Sequence, residues 1–108
     1  MATVYKILGQ SAPAATTETL AYTAGNQAVL SSITICNQAA TSATFRIAVR
    51  PAADLTTTQK HWIVYGSTVA ANDSTIITPG ITLATGDKVF VYASTTTMSF
   101  SVFGTELS

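Results

Sequence analysis

Charged residues are scarce in this chain. Lys, Arg, Asp and Glu together make up 9% of its 108 residues, whereas an ordinary soluble domain has about 25%. Five cations balance five anions, so the formal net charge is zero. A basic surface for nucleic acid needs clustered Lys and Arg, and intrinsic disorder needs low hydrophobicity with high net charge. We therefore expect a folded domain that binds no nucleic acid.

Cysteine, histidine and long apolar runs are also nearly missing. Cys36 is the only cysteine and His61 the only histidine. An intrachain disulfide is therefore excluded, and a Cys- or His-based metal site or catalytic dyad lacks its partners. The longest apolar runs fall far short of the roughly 20 residues that span a bilayer, and the N-terminus lacks the apolar segment of a secretory signal. We expect no catalytic residue, no metal or other cofactor, and no membrane partner.

Small uncharged side chains take the place of the missing charge, with 20 Thr, 17 Ala and 10 Ser. Residues 1–108 are predicted to form one domain, because single domains run to roughly 100–200 residues. Within it, the Ser-, Ala- and Thr-rich segment 10–19 is predicted to be an extended arm or loop. A surface without net charge favours association over repulsion, so we expect a homo-oligomer.

Period-two alternation dominates the hydrophobic pattern and predicts β-strands. The clearest case is Ala43–Arg50, in which Phe45, Ile47 and Val49 alternate with polar or small residues. Turn signals such as Gly86-Asp87 recur every 8–12 residues or so, a spacing typical of a sandwich or barrel. The only helix candidate, 53–60, holds three consecutive threonines, which are poor helix formers. The predicted fold is all-β: a single antiparallel β-sandwich, jelly-roll-like, with about eight or nine strands and little or no helix.

Four residues are candidates for contacts with a partner. Arg46 and Arg50 share the polar face of the predicted strand 43–50, and Lys60 follows the next loop. Arginine is enriched in protein contacts because its planar fork pairs with carboxylates, although a solvated strand face explains the same pattern. Phe103 is predicted on the face opposite Phe100, where an aromatic ring marks either a second buried layer or an oligomer contact.

The aromatic residues allow a further interpretation. Trp62, Tyr65 and Tyr92 could form a platform that binds carbohydrate, although a core position for Trp62 is the simpler expectation. His61 is expected on the surface or in an interface, on the strand face opposite Trp62. Cys36 is expected to be a small buried or half-buried apolar residue.

Several stretches, taken in order along nearly the whole chain, carry a resemblance to a known class of protein. They are YKILGQSAP (5–13), ITICNQ (33–38), ATFRIAVRP (43–51), AAND (70–73), TGD (85–87), VYAS (91–94) and SFSVFGTE (99–106). This order resembles small virion structural proteins of tailed bacteriophages, especially of phages that infect cyanobacteria and other aquatic bacteria.

The resemblance implies a non-enzymatic β-sandwich that is part of the phage particle. Its partners would be the major capsid protein or other virion proteins, and the resemblance also implies a homotrimer or another homo-oligomer, since small β-sandwich proteins that decorate capsids are often trimers. Its place would be the capsid surface, as a cement or decoration protein, or alternatively the tail, baseplate or fibre. No matched stretch contains a catalytic motif, so the resemblance assigns no catalytic residue.

Overall fold

The computed structural model describes residues 2–107 and consists almost entirely of strands. Nine strands follow one another along the chain: β1 (Thr3–Ser11), β2 (Thr19–Thr23), β3 (Ala28–Asn37), β4 (Ala43–Arg50), β5 (Trp62–Val69), β6 (Ser74–Ile77), β7 (Ile81–Leu83), β8 (Lys88–Ala93) and β9 (Met98–Leu107). The described part contains one helical element, a single 3-10 turn at Gln59–His61. None of its helices has the length and hydropathy needed to cross a membrane.

The strands form two antiparallel sheets that face each other. One sheet has the order β1-β9-β3-β6, with β7 also paired to β3, and the other has the order β2-β8-β4-β5. Consecutive strands therefore alternate repeatedly between the two sheets, which is the double Greek-key arrangement of a jelly roll. The predicted all-β sandwich with eight or nine strands and little helix is confirmed.

The core lies between the two sheets and is almost wholly aliphatic and aromatic. Phe45 of β4 meets Phe100 of β9 edge to face across the sandwich, with ring centroids 6.2 Å apart. Around this pair lie further fully buried side chains of β3, β4, β8 and β9: Leu30, Ile33, Ile35, Ile47, Val89, Val91, Met98 and Val102. The alternation predicted for β4 therefore contributes to the core, with Phe45 and Ile47 fully buried and Val49 partly buried against them.

In β3 the predicted phase is wrong for the first half of the strand. The sequence pattern places Val29 on the same side as Ile33, with Leu30 opposite, yet Leu30 is buried and Val29 is exposed. The cause is a β-bulge, since the register between β3 and β9 shifts between Leu30 and Ser32. One extra residue, Ser31, reverses the faces of the residues that precede it.

Residues 10–19 connect the two sheets rather than extending away from them. Gln10 and Ser11 complete β1, and Thr19 begins β2. Between them, Ala15 forms a parallel bridge to Ala93 of β8. The backbone N–H of Thr16 donates to the carbonyl oxygen of Ala93 at 2.8 Å. This connection therefore lies along the end of β8.

Candidate functional site

Arg46 is at the centre of an aromatic cluster on the outer face of the four-stranded sheet. Its guanidinium carbon lies 4.0 Å from the ring centroid of Tyr65, 4.3 Å from that of Tyr92 and 5.9 Å from that of Trp62. A guanidinium stacks favourably on the electron-rich face of an aromatic ring. Arg46 of β4 therefore contacts the rings of the two strands that flank it, β5 and β8, and holds them in fixed orientations.

Irregular pairing in β5 brings Trp62 and Tyr65 to the same face. The register with β4 shifts twice, so that Tyr65 pairs with Arg46 while Trp62 pairs with Ala48. The two rings meet edge to face, with centroids 5.5 Å apart and planes at 77°. The expected core position of Trp62 is thus wrong: the bulge at Ile63 turns its half-buried ring outward.

Arg50, four residues further along β4, ties the same face to the loop that follows. Its guanidinium carbon lies 4.2 Å from the ring centroid of Phe90, and its Nη1 donates to Thr57 Oγ1 at 3.1 Å. The Thr57 hydroxyl in turn donates to the carboxylate of Glu18 at 2.6 Å. Three segments that are distant in sequence are therefore joined through the Thr57 hydroxyl.

His61 stabilises the loop between β4 and β5. Its side chain is buried, with 4% of the residue surface exposed. Its Nδ1 accepts the backbone N–H of Thr58 at 2.8 Å, and its Nε2 lies 2.8 Å from Asp54 Oδ2. The neutral ring with its proton on Nε2 satisfies both contacts. The expected surface position of His61 is wrong, because the 3-10 turn interrupts the strand alternation before β5 begins.

The charges around His61 are also paired. The hydrogen bond from His61, and to a smaller degree the nearby Lys60, hold the pKa of Asp54 below its usual range. Lys60 Nζ lies 3.6 Å from the same carboxylate, and its side chain is mostly exposed. Lys60 thus lies in the loop beside the outer sheet face that carries Arg46 and Arg50.

A groove of about 610 Å³ opens between this loop and β5. It is lined by Thr57, Thr58, Gln59, Trp62 and Tyr65. The first three supply hydroxyl and amide groups and the last two supply aromatic rings. The rings are on the face that Arg46 organises, so the groove and the arginine cluster are parts of one site.

Phe103, in contrast, lies on the opposite side of the molecule. It faces outward from the five-stranded sheet, where β9 pairs it with Ile7 of β1 and Ser32 of β3. The four residues predicted to contact a partner therefore do not form one surface. Arg46, Arg50 and Lys60 lie at the four-stranded sheet, and Phe103 lies across the sandwich. Contact of any of them with a partner stays a prediction.

The face around Phe103 bears no charged side chain at any outward paired position between residues 2 and 107. It carries Ser and Thr together with exposed apolar residues: Tyr5, Ile7, Val29 and Ile76. The sequence pattern does not identify this face, because its members are distributed over four strands and some lie beyond the β3 bulge.

One charged network lies inside the open end of the sandwich. The Tyr22 hydroxyl donates to Glu106 Oε2, and Lys6 Nζ lies 2.9 Å from Oε1 of the same carboxylate. The hydrogen bond from Tyr22, followed by that from Lys6, lowers the pKa of Glu106. Burial, followed by the contact with Glu106, raises the pKa of Tyr22.

A second groove, of about 650 Å³, borders this end and is lined by Thr3, Val29, Thr82, Asp87, Thr105 and Leu107, among others. The Asp87 carboxylate accepts the backbone N–H groups of Ala52 and Ala84, each at 2.9 Å, so it is engaged in turn structure. Within the described ranges, no three His, Cys, Asp or Glu residues lie together as metal ligands would.

Comparison with protein-family models, with curated proteins and with solved structures finds no match to this chain.

Proposed function

We propose that this protein is a non-enzymatic structural component of a bacteriophage particle. Its place there is the outer capsid, where it acts as a cement or decoration protein that binds the major capsid shell and stabilises it. The resemblance of seven ordered stretches to small phage virion proteins supplies the identity of the particle. The observation that carries the structural role is the uncharged outer face of the five-stranded sheet.

Burying such a face in an assembly is favourable for a simple reason. A charge that is moved from water into an interface loses its hydration, which costs several kcal/mol unless it is paired. The outward positions around Tyr5, Ile7 and Ile76 include no charge, so only uncharged polar groups and apolar surface become dehydrated. Interface centres are depleted of charged residues for this reason. The face is therefore suited to permanent contact with another subunit.

The number of copies per particle tests the capsid location. Quantitative mass spectrometry of purified particles that contain this chain should find hundreds of copies per particle. A few copies to some tens would instead support the alternative, a tail, baseplate or fibre module, and would overturn the capsid proposal. Cryo-electron microscopy that places the chain only below the portal would overturn it as well.

A further inference from the structure

We propose that the groove between the 57–59 loop and β5 is a binding site for a neutral saccharide, with Trp62 and Tyr65 as its aromatic walls and Gln59 as its principal hydrogen-bonding group. This inference concerns the four-stranded sheet and is independent of where in a particle the protein resides. The groove has a volume of about 610 Å³, which is within the range of roughly 300–1,000 Å³ typical of small-molecule sites.

Charged side chains are concentrated beside this groove. The chain has only ten charged residues and one histidine. Half of the charged residues, together with that histidine, surround the groove: Glu18, Arg46, Arg50, Asp54, Lys60 and His61. None of them is needed to form the hydrophobic core, which lies between the sheets. Half of the charged side chains of the protein therefore lie beside this one groove, where their contacts hold its walls in place.

The walls are held in place without a ligand. Arg46 fixes the Tyr65 ring by stacking at 4.0 Å. Arg50 and Glu18 hold the Thr57 hydroxyl from two sides, and His61 fixes the backbone of Thr58 from beneath. Because these side chains are already ordered, a ligand would not have to order them, which favours binding.

The remaining free groups indicate the chemistry of the ligand. Tyr65 is 64% exposed, and the side-chain amide of Gln59 forms no hydrogen bond within the described chain. The nearby charges already have partners: Asp54 contacts His61 and Lys60, and Glu18 accepts from Thr57. The groove therefore offers ring faces, hydroxyls and an amide, with no free carboxylate or ammonium directed at a ligand.

A pyranose ring matches these surfaces. One of its faces presents C–H groups, which carry partial positive charge and contact the electron-rich face of an aromatic ring favourably. Its hydroxyls are both donors and acceptors, as the amide of Gln59 is. A phosphate or another anion would be bound best by a cation, whereas the five residues that line the groove are all uncharged. A neutral sugar is therefore the ligand class that the groove fits best.

The test uses the complete chain on an array of defined neutral and carboxylated oligosaccharides. We expect binding to at least one class of neutral glycan. Titration of that glycan should change the fluorescence of Trp62, the only tryptophan of the chain. Tyr65→Ala and Gln59→Ala should each weaken binding at least tenfold, whereas Tyr65→Phe, which keeps the ring, should bind within about threefold of the unaltered protein.

The matched control is Tyr5→Ala, which removes an exposed tyrosine from the opposite sheet and should leave glycan binding unchanged. Thermal unfolding verifies that each variant is folded. If the folded protein binds no glycan on the array, the proposal is overturned. A groove that binds only a peptide would give this result. Equal loss of binding in Tyr5→Ala overturns it too, because binding would then not be at the groove.

Discussion

Asn37 is a polar side chain buried at the end of β3, where it joins two turns of the chain. Its amide nitrogen lies within hydrogen-bond distance of the carbonyls of Thr41, Val69 and Ala70, at 2.9, 3.2 and 3.2 Å. Its carbonyl oxygen accepts the N–H of Ala39 at 3.0 Å. The β3–β4 turn and the end of β5 are therefore held together through one residue.

Asn37→Ala should lower the free energy of unfolding by about 1–3 kcal/mol, because buried backbone groups lose their partner. Urea unfolding followed by circular dichroism measures the change. Asn26→Ala is the matched control, since Asn26 makes one local hydrogen bond, to Gln27 N–H, and should change stability by less than about 0.5 kcal/mol. Equal effects of the two variants would contradict the role assigned to Asn37.

Glu106 connects stability to acid pH. Because Tyr22 and Lys6 lower its pKa below the ordinary value of 4.5, the ionised form is favoured in the folded state. Its contribution is complete above the ordinary pKa and is lost as the pH falls through the lowered value. Stability should therefore decline as the pH falls below about 4.5, and Glu106→Gln should both lower stability at pH 7 and make that decline shallower. Thermal melts at half-unit pH steps measure both effects; an unchanged acid slope would contradict the prediction.

At the scale of strands, the β3 bulge and a glycine of β9 depend on each other. Gly104 pairs with Leu30 where the register shifts. A Cβ at this position would lie 2.0 Å from the carbonyl oxygen of Val29 and 3.0 Å from the Cα of Leu30. These are backbone atoms, which cannot rotate away as a side chain can. The two strands therefore approach this closely only because residue 104 has no side chain.

Gly104→Ala should cost at least about 2 kcal/mol, since the clash forces the backbone of β3 to shift. Gly25→Ala is the matched control, because a Cβ there would meet no atom within 4 Å. Chemical unfolding of both variants measures the difference. Similar stabilities of the two variants would show that β3 and β9 can move apart without loss of stability. That result would contradict the requirement for a glycine at residue 104.

The same bulges mark where sequence reasoning succeeds and where it fails. The strand at Ala43–Arg50 is predicted with its exact bounds, since its alternation is unbroken over eight residues. The phase of β3 and the outward turn of Trp62 are missed because single extra residues, Ser31 and Ile63, reverse the faces of a strand. A bulge is set by the partner strand, which adjacent residues in the sequence do not reveal. The outward positions of Arg46 and Tyr92 agree with the regular alternation of their strands, whereas the groove depends on β5, in which the bulge at Ile63 breaks the alternation.

At the scale of the whole molecule, the two outer faces differ in chemistry. The four-stranded sheet carries stacked arginines and a groove with ordered polar walls. The five-stranded sheet carries hydroxyls and apolar side chains with no outward charge at its paired positions. A low overall charge content thus conceals an uneven distribution. We infer that one face is available for a small ligand while the other is buried against protein, so that a single subunit could do both at once.

Self-association through the uncharged face is the most direct test of this division. The chain has a mass of 11.2 kDa, and light scattering at micromolar concentration should find a multiple of it. Ile76 is 65% exposed on β6, so Ile76→Lys should leave the fold intact. It would place an unpaired ammonium in the interface at a cost of several kcal/mol, which should weaken association at least tenfold. Leu55→Lys, in the exposed loop before the 3-10 turn, is the matched control and should associate normally. An 11.2 kDa species for the unaltered protein, or equal dissociation of both variants, would refute burial of this face between copies.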